Sequence, residues 1–146
     1  MKHELTPEQI LQKACAYCAQ AEHCVQEVKE KLRQWGLSDN KQQQQIIDYL
    51  FQENFLNEER YCHAFVHDKV KYQSWGKQKI KAMLQAKHLP ANLIQQALNN
   101  INEKDYEEAL RKAIGKYGET DPDRTLRFAM QRGFSYDEIK SHIQSR

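Results

Sequence analysis

The sequence predicts an all-α fold, and three observations carry that prediction. Apolar residues recur at the three- and four-residue spacing of helix faces. Short alternating runs rich in β-branched residues, the signature of strands, are absent, and Val and Ile are scattered at helical spacing instead. The sparse prolines and glycines fall where helices begin and end. Pro7, Pro90 and Pro122 each accompany a helix-start signal, because the first turn tolerates a missing N–H, and Gly36 and Gly133 sit just past amphipathic runs, where a left-handed residue ends a helix.

Nine helices follow in order. Thr6-Pro7-Glu8 opens the first, over 7–20. The second, 25–35, stops at Gly36, and the third, 40–53, sets the polar run KQQQQ (41–45) before Ile46, Ile47 and Leu50. The fourth, 58–73, places Tyr61 and Phe65 four apart with Cys62 and Val66 beside them, and the fifth, 77–87, is basic. The sixth, 91–102, follows Pro90 and carries Ile94 and Leu98; the seventh covers 104–117. Asp121-Pro122-Asp123 opens the eighth, 122–132, which Gly133 closes, and the ninth, 136–145, carries Ile139 and Ile143.

Three segments share one pattern: an apolar residue, three more residues, a turn residue, an apolar residue, then a helix. They are Leu32 to Gly36-Leu37, Leu84 to His88-Leu89, and Ala129 to Gly133-Phe134. The last two keep identical apolar spacing, whereas in the first the following helix starts about one position out of phase. The pattern divides the chain into three tandem three-helix repeats, 7–53, 54–102 and 103–146. Repeats of this kind bury their apolar faces against neighbours, so an elongated, curved body is expected.

At 40% hydrophobic and 29% charged residues, the chain is too apolar for disorder and too polar for a membrane protein. The start, MKHELTPEQI, has no hydrophobic signal core, which places the protein in the cytoplasm. There Cys15, Cys18, Cys24 and Cys62 remain thiols and read as small hydrophobes or caps. A formal net charge of +2 does not announce a nucleic-acid binder, but the distribution is uneven. Between His63 and His88, Lys69, Lys71, Lys77, Lys79, Lys81 and Lys87 face only Asp68, whereas Asp48, Glu53, Glu58 and Glu59 just upstream oppose only Arg60.

Against this background the chain resembles the RecX family of recombination regulators. KACAYCAQAEHCVQEVKEKLRQWGL (13–37) looks like that family's opening repeat, ending K-L-x-x-x-G. FLNEERYCHAFVHDKVKYQSWGKQKIKAMLQAKHL (55–89) is similar to its most distinctive stretch: an aromatic-Leu-acidic turn, E-R-aromatic, A-F-V, a basic helix, then G-x-x-x-I-x-x-x-L-x-x-K. RGFSYDEI (132–139) resembles its final repeat. The chain departs from the family at Cys18 for leucine, Ala21 for arginine, Cys24 for a serine cap, Asn57 for aspartate and His88 for glycine. The resemblance implies a non-catalytic, monomeric protein that lies in the groove of the RecA filament on single-stranded DNA. There it would modulate, mostly by inhibition, recombinase, ATPase and coprotease activities in DNA repair, recombination and the SOS response.

The candidate partner- or nucleic-acid-binding residues are Lys69, Lys71, Lys77, Lys79, Lys81, Lys87, Arg127 and Arg132. They would meet an acidic filament surface or DNA phosphate, attracting without reading sequence. Helix charges are as often simply solvated. The interleaved aromatics Tyr61, Phe65, Tyr72 and Trp75 suggest core packing before base stacking, and Trp35 reads as a packing residue between repeats. Cys15-x-x-Cys18 with His23 and Cys24 has poor spacing for zinc, and Glu59, His63 and His67 on one helix face read as an exposed polar stripe. No cofactor, metal or catalytic group is expected: phosphate loop, nucleophile elbow and supported carboxylate pair are all missing. The rival reading is an autonomous helical DNA-binding protein acting through the basic second repeat.

Overall fold

The computed structural model describes residues 4–116 and 121–144. Among them the fold is all-α with nine helices: α1 (Pro7–Gln20), α2 (Val25–Gln34), α3 (Asn40–Gln52), α4 (Glu58–Lys71), α5 (Lys77–Ala86), α6 (Ala91–Asn99), α7 (Glu103–Gly115), α8 (Pro122–Gln131) and α9 (Tyr136–Gln144). The starts fall within one residue of those expected, because caps mark them. Thr6 Oγ1 accepts from the Gln9 N–H, Asp39 from Gln42, Asn102 from Asp105 and Asp121 from Arg124. The ends differ more. Helix α6 stops at Asn99 rather than 102, because Asn102 is already the cap of α7, and α4 stops at Lys71 rather than 73. The expected ends at 117 and 145, and the last residue of the third repeat, lie outside the described residues.

The chain forms two compact units, Met1–Tyr61 and Cys62–Arg146, with the boundary inside α4. In the first, α1, α2 and α3 pack on one another around Ile10, Ala14, Cys18, Val28, Leu32, Ile47, Leu50 and Leu56. Each large aliphatic side chain so buried stabilises by about 1.5 to 3 kcal/mol relative to exposure. Trp35 packs against this core and meets Tyr17 edge-on at 6.4 Å. In the second unit α5 pairs with α6, and α7, α8 and α9 pack together, with Ile80, Leu84, Ile94, Phe134 and Ile139 fully enclosed.

The turn pattern read from sequence has one geometry in all three places. Gly36 (φ +95), His88 (φ +62) and Gly133 (φ +103) are all left-handed. In each, the next apolar residue donates its N–H back to the carbonyl five residues earlier: Leu37 to Leu32 at 2.8 Å, Leu89 to Leu84 at 3.2 Å, Phe134 to Ala129 at 3.2 Å. This Schellman closure satisfies carbonyls that the helix end leaves free. After it, α6 and α9 begin three residues past the left-handed position and α3 begins four past it. That extra residue brings Gln43, from the polar run, into the interior, where it is 2% exposed and its Nε2 donates to the Leu37 carbonyl at 2.7 Å.

Candidate functional site

The candidate lysines divide by environment. After α4 the chain reverses through Ser74, itself left-handed (φ +55), and the Trp75 N–H returns to the Lys69 carbonyl at 3.0 Å. The indole is thereby folded against the last turn of α4, edge-on to Phe65 with centroids 6.4 Å apart. Lys69 Nζ lies 4.7 Å from the Trp75 ring centroid and 5.3 Å from that of Phe65. Lys79 Nζ approaches Trp75 from α5, at 4.2 Å. Two ammonium groups thus share one half-buried indole, and neither has an acidic partner among the described residues. The ring holds them by attraction to its electron-rich face, about 0.5 to 1 kcal/mol each, without cancelling their charge.

Lys77 Nζ lies 4.9 Å from the centroid of Tyr106, and Lys71 stands exposed beside Tyr72, at 6.0 Å. Lys81 is exposed on α5, one turn beyond Lys77, and Lys87 is half-buried at that helix's end. Arg127 is exposed on α8, and Arg132 stacks over Phe128 at 5.3 Å, a ring that Lys116 also approaches, at 5.2 Å. Lys69 and Lys79 are therefore brought together at Trp75, Lys77 sits on the Tyr106 ring of α7, Arg132 belongs to a separate contact at Phe128, and Arg127 stands exposed.

The placement of α5 has a cause that sequence reading missed. Its first amides are satisfied from α7 and α8: Gly76 N–H by the Arg132 carbonyl at 2.7 Å, Lys77 N–H by the Tyr106 hydroxyl at 3.1 Å, Gln78 N–H by the Gly133 carbonyl at 3.0 Å. The Tyr106 hydroxyl is bonded in turn to Glu138, and burial first, then this carboxylate, push the phenol above its ordinary pKa. Glu138 Oε1 also accepts from the Ser135 N–H at 2.9 Å, opening α9. The Trp-Gly-Lys triplet at 75–77 was the only sequence sign of this junction.

Elsewhere the ionisable groups are tied into structure. Glu27 accepts from the Cys24 N–H at 3.2 Å and the Tyr61 hydroxyl at 3.2 Å and meets His23 Nδ1 at 3.0 Å, while the His23 ring stacks on Tyr17 at 3.7 Å. Arg60 grips Glu22 at 2.8 Å, the Asn54 side chain at 2.9 Å and the Asn54 carbonyl at 3.0 Å. Burial pushes the Cys18 thiol up to about 11, with Cys15 and Glu22 adding to it, and raises Cys15, so both resist forming thiolate. Among the described residues no three His, Cys, Asp or Glu gather to hold a metal ion, and no helix is long and apolar enough to cross a membrane.

Residues 57–98, which contain the lysine cluster, match the family model described as RecX, second three-helix domain. Regulatory protein RecX of Clostridium botulinum (strain Alaska E43 / Type E3) is 31% identical over 128 residues, covering 81% of this chain and 59% of its own length. The chain thus spans somewhat under two thirds of that relative. Regulatory protein RecX of Leptothrix cholodnii is 29% identical over 137 residues, covering 90% of this chain and 85% of the relative. The crystal structure of RecX from Lactobacillus salivarius shares the fold, with a TM-score of 0.78 at 22% identity and 95% of each chain covered. A second crystal structure, of regulatory protein RecX, aligns at 0.71 with 17% identity over 92% of this chain and 73% of that one. The distinctive middle stretch, the helical fold and relatives along most of its length agree: the chain belongs to the RecX family of regulatory proteins.

Proposed function

We propose that the chain is a cytoplasmic, non-catalytic regulator that binds the RecA filament on single-stranded DNA and restrains its recombinase, ATPase and coprotease activities. In this reading it works as a monomer built of three tandem repeats, 7–53, 54–102 and 103–146. The observation that carries the proposal is the pair of ammonium groups on Trp75, held in place yet without an acidic partner among the described residues, inside the stretch that matches the family model. In this reading Lys71, Lys77, Lys81, Lys87, Arg127 and Arg132 add further positive charge for an acidic partner to meet. Long-range attraction of this kind raises association rate and places the partner, and it weakens with salt.

The test is inhibition of RecA-dependent ATP hydrolysis and strand exchange at amounts well below one molecule per RecA protomer. Lys77→Glu with Lys81→Glu should weaken filament binding without loss of helicity; unchanged affinity removes the α5 lysines from the interface. The alternation of lysines with exposed or half-buried aromatic rings, Tyr72 and Trp75, also favours a second reading, direct binding to DNA. Inhibition fully relieved by naked DNA competitor supports that reading over filament recognition.

A further inference from the structure

The helix that carries Lys77, Lys79 and Lys81 has no cap of its own. Gly76, at the N-cap, offers no side chain, and the three successive N–H groups that open α5 are met by Arg132, Tyr106 and Gly133. Two of these acceptors are carbonyls at the C-terminal end of α8, so the negative end of one helix dipole faces the positive end of another. The approach leaves no slack. A Cβ on Gly76 would stand 2.3 Å from the Gly133 carbonyl carbon, and one on Gly133 would stand 2.5 Å from Lys79 Cβ and 2.7 Å from the Lys79 nitrogen.

The same residues that cap the backbone also seat the side chains. Lys79 leaves the helix against Gly133, and Lys77 places its ammonium over the ring of Tyr106. Tyr106 is itself fixed by Phe134, with ring centroids 5.4 Å apart, and by Glu138. We infer that the turn closing α8, together with Tyr106, is the positioning device of the lysine surface. It caps α5 from a distance and sets where Lys77 and Lys79 stand, so partner binding through those lysines depends on this joint. The inference rests on the reading that the lysines meet the partner.

The test uses the full chain with Tyr106→Phe, which removes the hydroxyl and keeps the ring, and Gly133→Ala, which pushes Lys79 away. For Tyr106→Phe we expect unchanged helical circular dichroism and several-fold faster hydrogen exchange at the Lys77 amide. Affinity for RecA filaments on single-stranded DNA should fall about three- to tenfold, the scale of one lost hydrogen bond. Gly133→Ala should lose more; if it fails to fold, Tyr106→Phe decides. Made in a Lys77→Gln/Lys79→Gln background, Tyr106→Phe should change affinity less than about twofold, since residues acting through one another are not additive. An equal loss in both backgrounds would show that the joint contributes only general stability, and overturns the inference. Undiminished binding by folded Tyr106→Phe and Gly133→Ala, beside a weakened Lys77→Gln/Lys79→Gln chain, overturns it as well. Undiminished binding by the Lys77→Gln/Lys79→Gln chain itself sinks the lysine-surface reading, and the inference with it.

Discussion

The helices of the first compact unit and the basic helix of the second begin in different ways. In the first unit α1, α2 and α3 each find a cap within their own first turn or just before it: Thr6 with Gln9, Cys24 with Glu27, Asp39 with Gln42. In the second, α5 starts at a glycine and takes its hydrogen-bond acceptors from α7 and α8. Both units hold lysines over aromatic rings, Lys13 over Trp35 and Lys31 over Tyr17 in the first, but in the second Lys69 and Lys79 share one ring, which positions them and leaves their charge available. A helix capped within its own first turn needs little help to begin, while α5, whose first amides are met from α7 and α8, ties its lysines to tertiary packing.

Four measurements would break or sharpen this contrast. The largest effect belongs to Phe134→Ala, which empties a fully buried site beneath Tyr106 and next to the joint. It should destabilise the second unit by about 3 to 5 kcal/mol, with protection of α5 amides lost and that of α1 to α3 retained. Equal loss of protection in both units would contradict a division of labour between them. Next is Arg60→Ala, whose guanidinium bonds Glu22 and Asn54 in the first unit. Part of that arginine is solvent-exposed, so denaturant unfolding should show about 1 to 2 kcal/mol lost, and no change would mean the clamp is screened by water.

Smaller, and opposite in sign, is His88→Gly. The second turn keeps a left-handed histidine where the first and third have glycine. Relief of that conformation should stabilise by about 0.5 to 1 kcal/mol, read as a higher melting temperature, and a lower one would mean the histidine side chain contributes more than its backbone loses. The last effect is read as a pH dependence. Because the Cys18 thiol is held at about 11 against an ordinary 9.0, its neutral form is favoured in the folded chain. Its contribution is complete below pH 9 and is lost as pH rises toward 11. Urea unfolding across that range should fall more steeply for the native chain than for Cys18→Val, and parallel curves would remove the thiol from the linkage.

Much of the fold was legible because helix ends carry residue signatures. Gly36 and Gly133 announced left-handed turns, and His88 was found by register alone, since its neighbours Leu84 and Leu89 occupy the same positions. Gln43 was not legible: a glutamine run reads as solvent-facing, and only the one-residue delay of α3 turns one of its members toward the Leu37 carbonyl. Trp35 was legible as a packing residue, and its partner Tyr17, one helix back, lies in the first unit. At the candidate site the residue types were readable and the grouping was not. Lys69 and Lys79 meet at Trp75 because of a left-handed Ser74 and a close approach of Gly76 to Gly133, the second joining segments far apart in sequence.

The remote capping of α5 also bears on the order in which a newly made chain becomes competent. At roughly 5 to 20 residues per second, synthesis passes Gly76 several seconds before it supplies Gly133. Through that interval the amides that open α5 have only water to bond, and the lysines project from an unanchored segment. The caps of α1, α2 and α3 are all present once the first unit has been made. A nascent chain therefore completes the first unit early and its lysine-bearing surface late, so it has little means of engaging a partner before its final helices have folded.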